Sequence, residues 1–304
     1  MSRCAVIGCS GQDGKILSNL LRARGDTVIA IKRGDLCLTD AVAVGSFLKK
    51  ERPDFIYYLA AYHHSSEDRE YVCDAEMFRL SFDTHVHGVI AFLDELVKLF
   101  PKARFFYASS SHVFGSPESA PQTEETPFRP HNIYAISKSA GVHVCQFYRK
   151  KYGVHVSTGI LYNHESVLRD KKFVSQKIIH GALAVSRGEI SSIRLGDLNA
   201  CVDWGYAPDY VDAMVRITSL EVSDDYIIAT GVSHTVREFA EIAFSKLGLN
   251  WENHVTVDPG IVRPSTPVPS IGNYAKLKQR TGWIPQTSFD QMIELMLQFA
   301  AHDR

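Results

Sequence analysis

Apolar positions along the chain keep changing period. Residues 4–8, CAVIG, form a short apolar run ended by glycine, and KILSNLLRARG behind it has helical spacing. TVIAIKR (27–33) reads as a second strand, AVAVGSFLKKE as a helix and DFIYYLAA (54–61) as a third strand. A helix over FDTHVHGVIAFLDELVKLF (82–100) then leads to the strand ARFFYASSS. YAISKSAGVHVCQFYRKKYG (134–153) predicts a long helix and VSTGILYN another strand. Such alternation implies parallel strands joined by right-handed crossovers, and near-continuous apolar strands fit a sheet covered on both faces.

The last third breaks this rhythm with shorter elements, a helix beginning near Thr235, the proline-rich RPSTPVP and a final amphipathic helix. The predicted fold class is therefore α/β: a Rossmann-type doubly wound parallel sheet with a smaller, interleaved C-terminal substrate-binding lobe. Residues 1–165 are expected to form the NAD(P)-binding part and 166–304 mainly the lobe, with some segments returning to the sheet.

Composition narrows the partners. With 304 residues, 45% of them apolar, and a formal charge of −1, the chain has no electrostatic footprint for nucleic acid or an anionic membrane. MSRCAVIGCSG lacks the apolar core of a signal peptide, and no apolar run is long enough to span a bilayer. Six scattered cysteines without CxxC spacing read as reduced small hydrophobes of a cytoplasmic protein.

Candidate chemistry begins at GCSGQDG, which spaces Gly8, Gly11 and Gly14 as GxxGxxG between a strand and a helix. Missing side chains let the backbone approach a pyrophosphate, and the helix N-terminus offers free N–H groups. After the second strand, Lys32 and Arg33 stand where a carboxylate would hold the ribose of NAD. The pair favours the 2′-phosphate of NADP over NAD, and Asp35 remains available to adenine.

Tyr134 and Lys138 form a YxxxK pair, one helical turn apart on one face. A nearby ammonium is expected to draw the phenol's pKa down from about 10, giving an acid/base suited to hydroxyl proton transfer during hydride transfer.

These features, with the blocks that follow, resemble an extended short-chain dehydrogenase/reductase, and within it the GDP-mannose 4,6-dehydratases. The resemblance rests on GQDG (11–14), ASSS-x-x-FG (108–115), ETPFRPHNIYAISK (125–138), GILYNHES (159–166), DWGYAPDYV (203–211), IATGVSHTVREF (228–239) and KLKQRTGWIP (276–285), nearly the whole chain. It implies tightly held NADP(H) that is reduced and reoxidised within one cycle. A sugar 4-hydroxyl is oxidised, water leaves across C5–C6 and hydride returns to C6.

It further implies that Ser110 steadies the sugar C4 oxygen, Tyr134 is the base and Lys138 its lysine. The cofactor set becomes Gly8, Ser10, Gly11, Gln12, Asp13, Gly14, Arg33, Asp35, Leu36, Leu59, Ala60, Ala61, His63, Tyr134, Lys138, His164 and Arg169. Ser110, Ser111, Asn163, Val174, Lys177 and Arg263 would contact a GDP-sugar. Charging a buried histidine is costly, so a neutral, structural His164 fits equally well.

The chain also departs from that pattern. His112 stands where these dehydratases carry the glutamate that takes the C5 proton; related epimerase/reductases place a cysteine there. Histidine can move protons at neutral pH, so His112 joins the catalytic set. The alternatives are a GDP-4-keto-sugar reductase/epimerase, a GDP-sugar 4-dehydrogenase with His112 as a wall residue, or a cofactor-binding scaffold, against which Ser110, Tyr134 and Lys138 argue. IKRGD runs almost directly into LCLTD, without the longer arginine-containing segment that the resemblance ties to cofactor binding and tetramers. That favours a homodimer through helices around 84–98 and 134–151. Val202 precedes DWG where the family has arginine. His63–His64 and His85 with His87 do not share a helix face or belong to HExxH, so no metal site is expected.

Overall fold

The computed structural model describes residues 1–63, 72–258 and 268–302. Six parallel strands form the central sheet: β1 (Arg3–Ile7), β2 (Thr27–Ile31), β3 (Phe55–Tyr58), β4 (Arg104–Ser110), β5 (Val156–Leu161) and, four strands later in the chain, β9 (Asp225–Ile228). Their order is β2-β1-β3-β4-β5-β9. The order reverses between β1 and β3, so the crevice at their C-terminal ends is the place where such sheets bind ligands.

Alternate residues of the inner strands serve opposite faces. Val6, Tyr57 and Phe106 pack with Leu17 and Leu21 of helix α1 (Gln12–Ala23) and Met214 of α7 (Ala207–Ser219). Ala5, Ile7, Ile56, Tyr58, Phe105 and Tyr107 face α2 (Ala41–Glu51), α4 (Gly88–Leu99) and α5 (Ile133–Tyr152). Both faces are covered, which is why the strands read as continuous apolar runs.

Two small sheets stand beside this one. β6 (Asn163–Glu165), β8 (Cys201–Tyr206) and β10 (Ser233–Thr235) form the first, and β7 (Ile193–Leu195) with β11 (Val255–Val257) the second. A separate apolar cluster unites α6 (Val174–Ser186), α8 (Val236–Ser245) and α10 (Phe289–His302) around Trp204. Helix α8 starts on a capping box between Thr235 and Glu238. The short α9 (Ala275–Thr281) ends at Gly282 in left-handed geometry.

The helix expected over 82–100 differs. It begins earlier, as α3 (Asp74–Phe82), widens into one π turn at Asp83–His87 and only then continues as α4. The cause lies in the sheet. Tyr58 donates from its hydroxyl to the Thr84 carbonyl at 2.6 Å, and Tyr107 to that of His85 at 3.2 Å. Gly88 and Gly141 permit this approach, because a Cβ on either would stand 2.3 Å and 2.2 Å from those same hydroxyls. The turn thereby presents His85 inward, fully buried.

Candidate active site

At the end of β1, Gly8 has φ +91°, and a Cβ there would stand 2.8 Å from the Ala60 nitrogen. A Cβ on Gly14 would meet the Gly8 carbonyl at 2.4 Å. Both positions therefore require glycine. Gly11 precedes the first residue of α1 without any side-chain cap, so that helix end offers its own N–H groups. Leu59 and Ala61 extend from β3 along the same crevice and line one cavity of about 800 Å³ with Asp13 and His63. Arg33 and Asp35 are exposed and Leu36 half-buried after β2, outside that cavity; one Asp35 oxygen accepts the Lys32 N–H at 2.8 Å.

β4 delivers Ser110 to the cavity floor. Its Oγ accepts the His112 N–H at 3.3 Å, capping the single 3-10 turn Ser111–Phe114 and turning the His112 ring into the cavity. Ser111 is buried in that turn and lines none of it, a correction to its expected substrate contact. Helix α5 is fixed by Asn132, whose side chain accepts the Ala135 N–H at 2.9 Å. Tyr134 in its first turn brings its phenol to the Ser110 hydroxyl, which works to lower the phenol's pKa. Three imidazoles surround the phenol edge-on: His63 at 5.1 Å, His85 at 5.4 Å and His112 at 6.0 Å between ring centroids.

Lys138 donates to the Ala108 carbonyl at 2.7 Å, and its Nζ stands 5.7 Å from the centre of the Tyr134 ring. Burial brings the Lys138 ammonium down to about 7. Burial likewise pushes the Tyr134 phenol up to about 12, against the lowering pull of Arg169 and the Ser110 hydrogen bond. The expectation that Lys138 draws this phenol downward is thus not met in this geometry; desolvation of both groups dominates.

His85 holds this centre from behind. Its Nε2 accepts the Tyr62 N–H at 3.0 Å, which leaves Nδ1 as the donor to Ser137 Oγ at 2.8 Å. Ser137 in turn donates to the Tyr134 carbonyl at 3.0 Å. Burial first, then Lys138 and His63, keeps His85 well below the usual histidine range and so neutral. The loop after β3 is thereby tied to the first turn of α5.

A second buried assembly links the glycine turn to β6. His164 Nε2 lies 3.0 Å from each Asp13 oxygen, its Nδ1 donates to the Tyr162 carbonyl at 2.7 Å, and its ring stacks on Tyr210 at 4.7 Å. Gln12 donates to the His164 carbonyl and accepts from the Ser166 hydroxyl. Burial works to raise the Asp13 carboxyl, yet His164, by charge and hydrogen bond, carries it below the carboxylate range. Burial likewise works to lower His164, and Asp13 overcomes it, so the imidazole lies above its usual value. Asp13 thus favours the charged form of His164 over the neutral one.

The sign of the pH dependence follows. His164's contribution is complete below about pH 6.5 and is lost as pH rises through its elevated value. Asp13's is present above about pH 4 and is lost as pH falls through its depressed value. Asp13→Asn is expected to destabilise the protein by about 3 kcal/mol near pH 6 and by less as the solution becomes alkaline. Thermal unfolding across that range checks this; a pH-independent difference would refute the charged pair.

Farther along the cavity, Asn163, Val174 and Lys177 form part of the lining, as do Arg169 and Phe173. The Arg169 guanidinium lies 3.8 Å above the centre of the Phe173 ring, and its buried Nε, 3.6 Å from Glu165, makes no hydrogen bond. Arg263 lies outside the described residues.

A family model described as GDP-mannose 4,6 dehydratase matches residues 33–296. This chain belongs to that family. GDP-mannose 4,6 dehydratase 1 of Arabidopsis thaliana is 33% identical, with 96% of this chain and 88% of that protein aligned. GDP-mannose 4,6-dehydratase of Sinorhizobium fredii is also 33% identical, over 93% and 92% of the two chains. Among solved structures, RMD from Pseudomonas aeruginosa, complexed with NADPH, superposes with a TM-score of 0.84 at 23% identity, covering 98% of each chain. That likeness establishes the extended Rossmann fold.

In this family member the sequence motifs and the cavity converge on Ser110, His112, Tyr134 and Lys138, with Asp13, His63, His164 and Arg169 beside them. Sequence reasoning missed His85 as a support, and Lys172, Phe173 and Arg194 in the lining. The charged stretch RDKK before α6 was a signal for a basic rim; for His85 no local signal exists.

Proposed function

We propose that the protein is an NADP-dependent GDP-mannose 4,6-dehydratase. The observation that carries this reading is the convergence of Ser110, His112, Tyr134 and Lys138 on one cavity beside the glycine turn, in a chain of this family. The close approaches at Gly8 and Gly14, the uncapped N-terminus of α1 and the exposed Lys32–Arg33 pair fit a dinucleotide with a 2′-phosphate. When bound, NADP takes up hydride from C4 of the sugar and returns it at C6.

The chain's own residues supply the proton transfers. Ser110 orients the C4 oxygen and Tyr134 exchanges its proton, held at the correct angle by the His85–Ser137 relay. Lys138 adjusts the charge around the phenol. Once C4 is a ketone the C5 proton is acidified, and His112 removes it as hydroxide, protonated on departure, leaves C6 as water. Lys177 fits the anionic part of the GDP-sugar, and Arg169 fits the cofactor side of the cavity.

Phe147 and Tyr152, exposed on α5, support assembly as a homodimer through the helices around 84–98 and 134–151. The six cysteines are unpaired thiols, three of them exposed, which suits the cytoplasm.

His112 in place of the family's glutamate favours one second reading, an oxidoreductase that stops at C4. Mass spectrometry of GDP-mannose incubated with enzyme and NADP, with absorbance at about 340 nm followed in parallel, separates the two. Loss of one water without lasting NADPH supports the dehydratase. An oxidised sugar with equimolar NADPH would replace it by the dehydrogenase.

A further inference from the structure

The cavity that contains Tyr134 also reaches the wall made by β7 and the start of β8. Besides Lys138 at the catalytic end, four Lys and Arg side chains line it: Arg169, Lys172, Lys177 and Arg194. Arg169 is already committed to Glu165 and to the face of Phe173, and Lys172 and Lys177 each have a contact of their own. Arg194 is different. It is exposed, lines the cavity, and has no hydrogen-bond or ion-pair partner among the described residues.

The strand that carries Arg194 is firmly anchored. Ile193 on one side of it packs so closely on α6 that a Cβ at Gly181 would stand 2.4 Å from its methyl group, and Leu195 is buried in the lobe's core. β7 also pairs with β11 along its length. The guanidinium therefore springs from an anchored strand, while nothing among the described residues consumes its charge. At the start of β8, in the other small sheet, Cys201 and Val202 line the same cavity without a charge to offer. Asp197, the acid nearest in sequence, has one oxygen engaged by the Asn199 N–H at 2.9 Å.

We propose that Arg194 is the diphosphate-selecting residue of this site. Its planar fork engages the sugar-linked phosphate of a nucleoside diphosphate, so that nucleoside diphosphates are preferred over monophosphates. The proposal rests on the nucleotide-sugar reading and deepens it. Lys177 from α6 contributes a point charge to the same anion. Arg194 adds the bidentate geometry that distinguishes two phosphates from one.

The test is calorimetric titration of the NADPH-loaded protein with GDP, GMP and UDP, for wild type, Arg194→Ala and Arg194→Lys. In Arg194→Ala, GDP affinity is expected to fall about 30-fold, the range for losing a hydrogen-bonded charge, while GMP falls less than about threefold. Arg194→Lys recovers part of the loss. Equal losses for GDP and GMP, or no loss of either, would overturn the proposal. A wild type that binds UDP better than GDP, with the same dependence on Arg194, would keep the residue's role and remove the guanine assignment. A wild type that binds no nucleoside diphosphate would end both. Cys201 supplies an independent reading on folded protein: GDP should slow its alkylation in wild type, and the same GDP concentration should not in Arg194→Ala.

Discussion

Tyr134→Phe is expected to lower turnover of GDP-mannose by about a thousandfold, within the range for losing a positioned acid/base, while NADPH affinity stays within about threefold. The contrast follows from what the ring and the hydroxyl each do. The ring packs edge-on against His63, His85 and His112, and phenylalanine preserves those contacts. The hydroxyl is the atom that faces Ser110 and, in the proposed mechanism, exchanges a proton with the sugar. Removing it leaves the His85–Ser137 support intact, since that reaches the Tyr134 carbonyl and not its side chain. Single-turnover absorbance and steady-state mass spectrometry measure the two effects separately. Turnover above a tenth of wild type would remove Tyr134 from the proton path; a collapse of NADPH binding would make it a cofactor support instead.

That prediction was accessible from sequence because its parts are local. Tyr134 and Lys138 are one helical turn apart, and the glycines sit within a single strand-to-helix turn, so spacing alone places each group. The capping box of α8 is visible for the same reason. What spacing could not convey are the contacts that connect distant segments. The π turn exists because Tyr58 and Tyr107, on two strands, draw the carbonyls of Thr84 and His85 out of helical register. His85 owes its role to that distortion. Asp13 on α1 and His164 on β6 lie 151 residues apart in sequence, so neither the pairing nor its effect on their protonation could be read from GQDG or NHES separately. Burial, the cause of the raised Tyr134 and lowered Lys138, is likewise a property of the assembled sheet and lobe.

In the proposed mechanism His112 decides which reaction the shared machinery completes, and its substitution is expected to separate the steps. In His112→Ala, oxidation at C4 is expected to proceed within about fivefold of wild type, whereas loss of water falls about a hundredfold, the lower range for a missing general base. The two can part because Ser110, Tyr134 and Lys138 are carried by β4 and α5, with Lys138 bonded to the Ala108 carbonyl and α5 capped by Asn132. Its backbone N–H, the group bonded to Ser110, survives the change to alanine. The ring itself is exposed and lines the cavity, meeting Tyr134 edge-on. The 4-keto sugar should then accumulate with NADPH, and deuterium exchange from solvent at C5 should slow with the elimination. His112→Glu, which restores a base of shorter reach, should recover part of the lost dehydration. Undiminished loss of water and unchanged C5 exchange in His112→Ala would reduce His112 to a wall residue. The C5 proton would then have to leave through Tyr134, making one phenol responsible for both proton transfers.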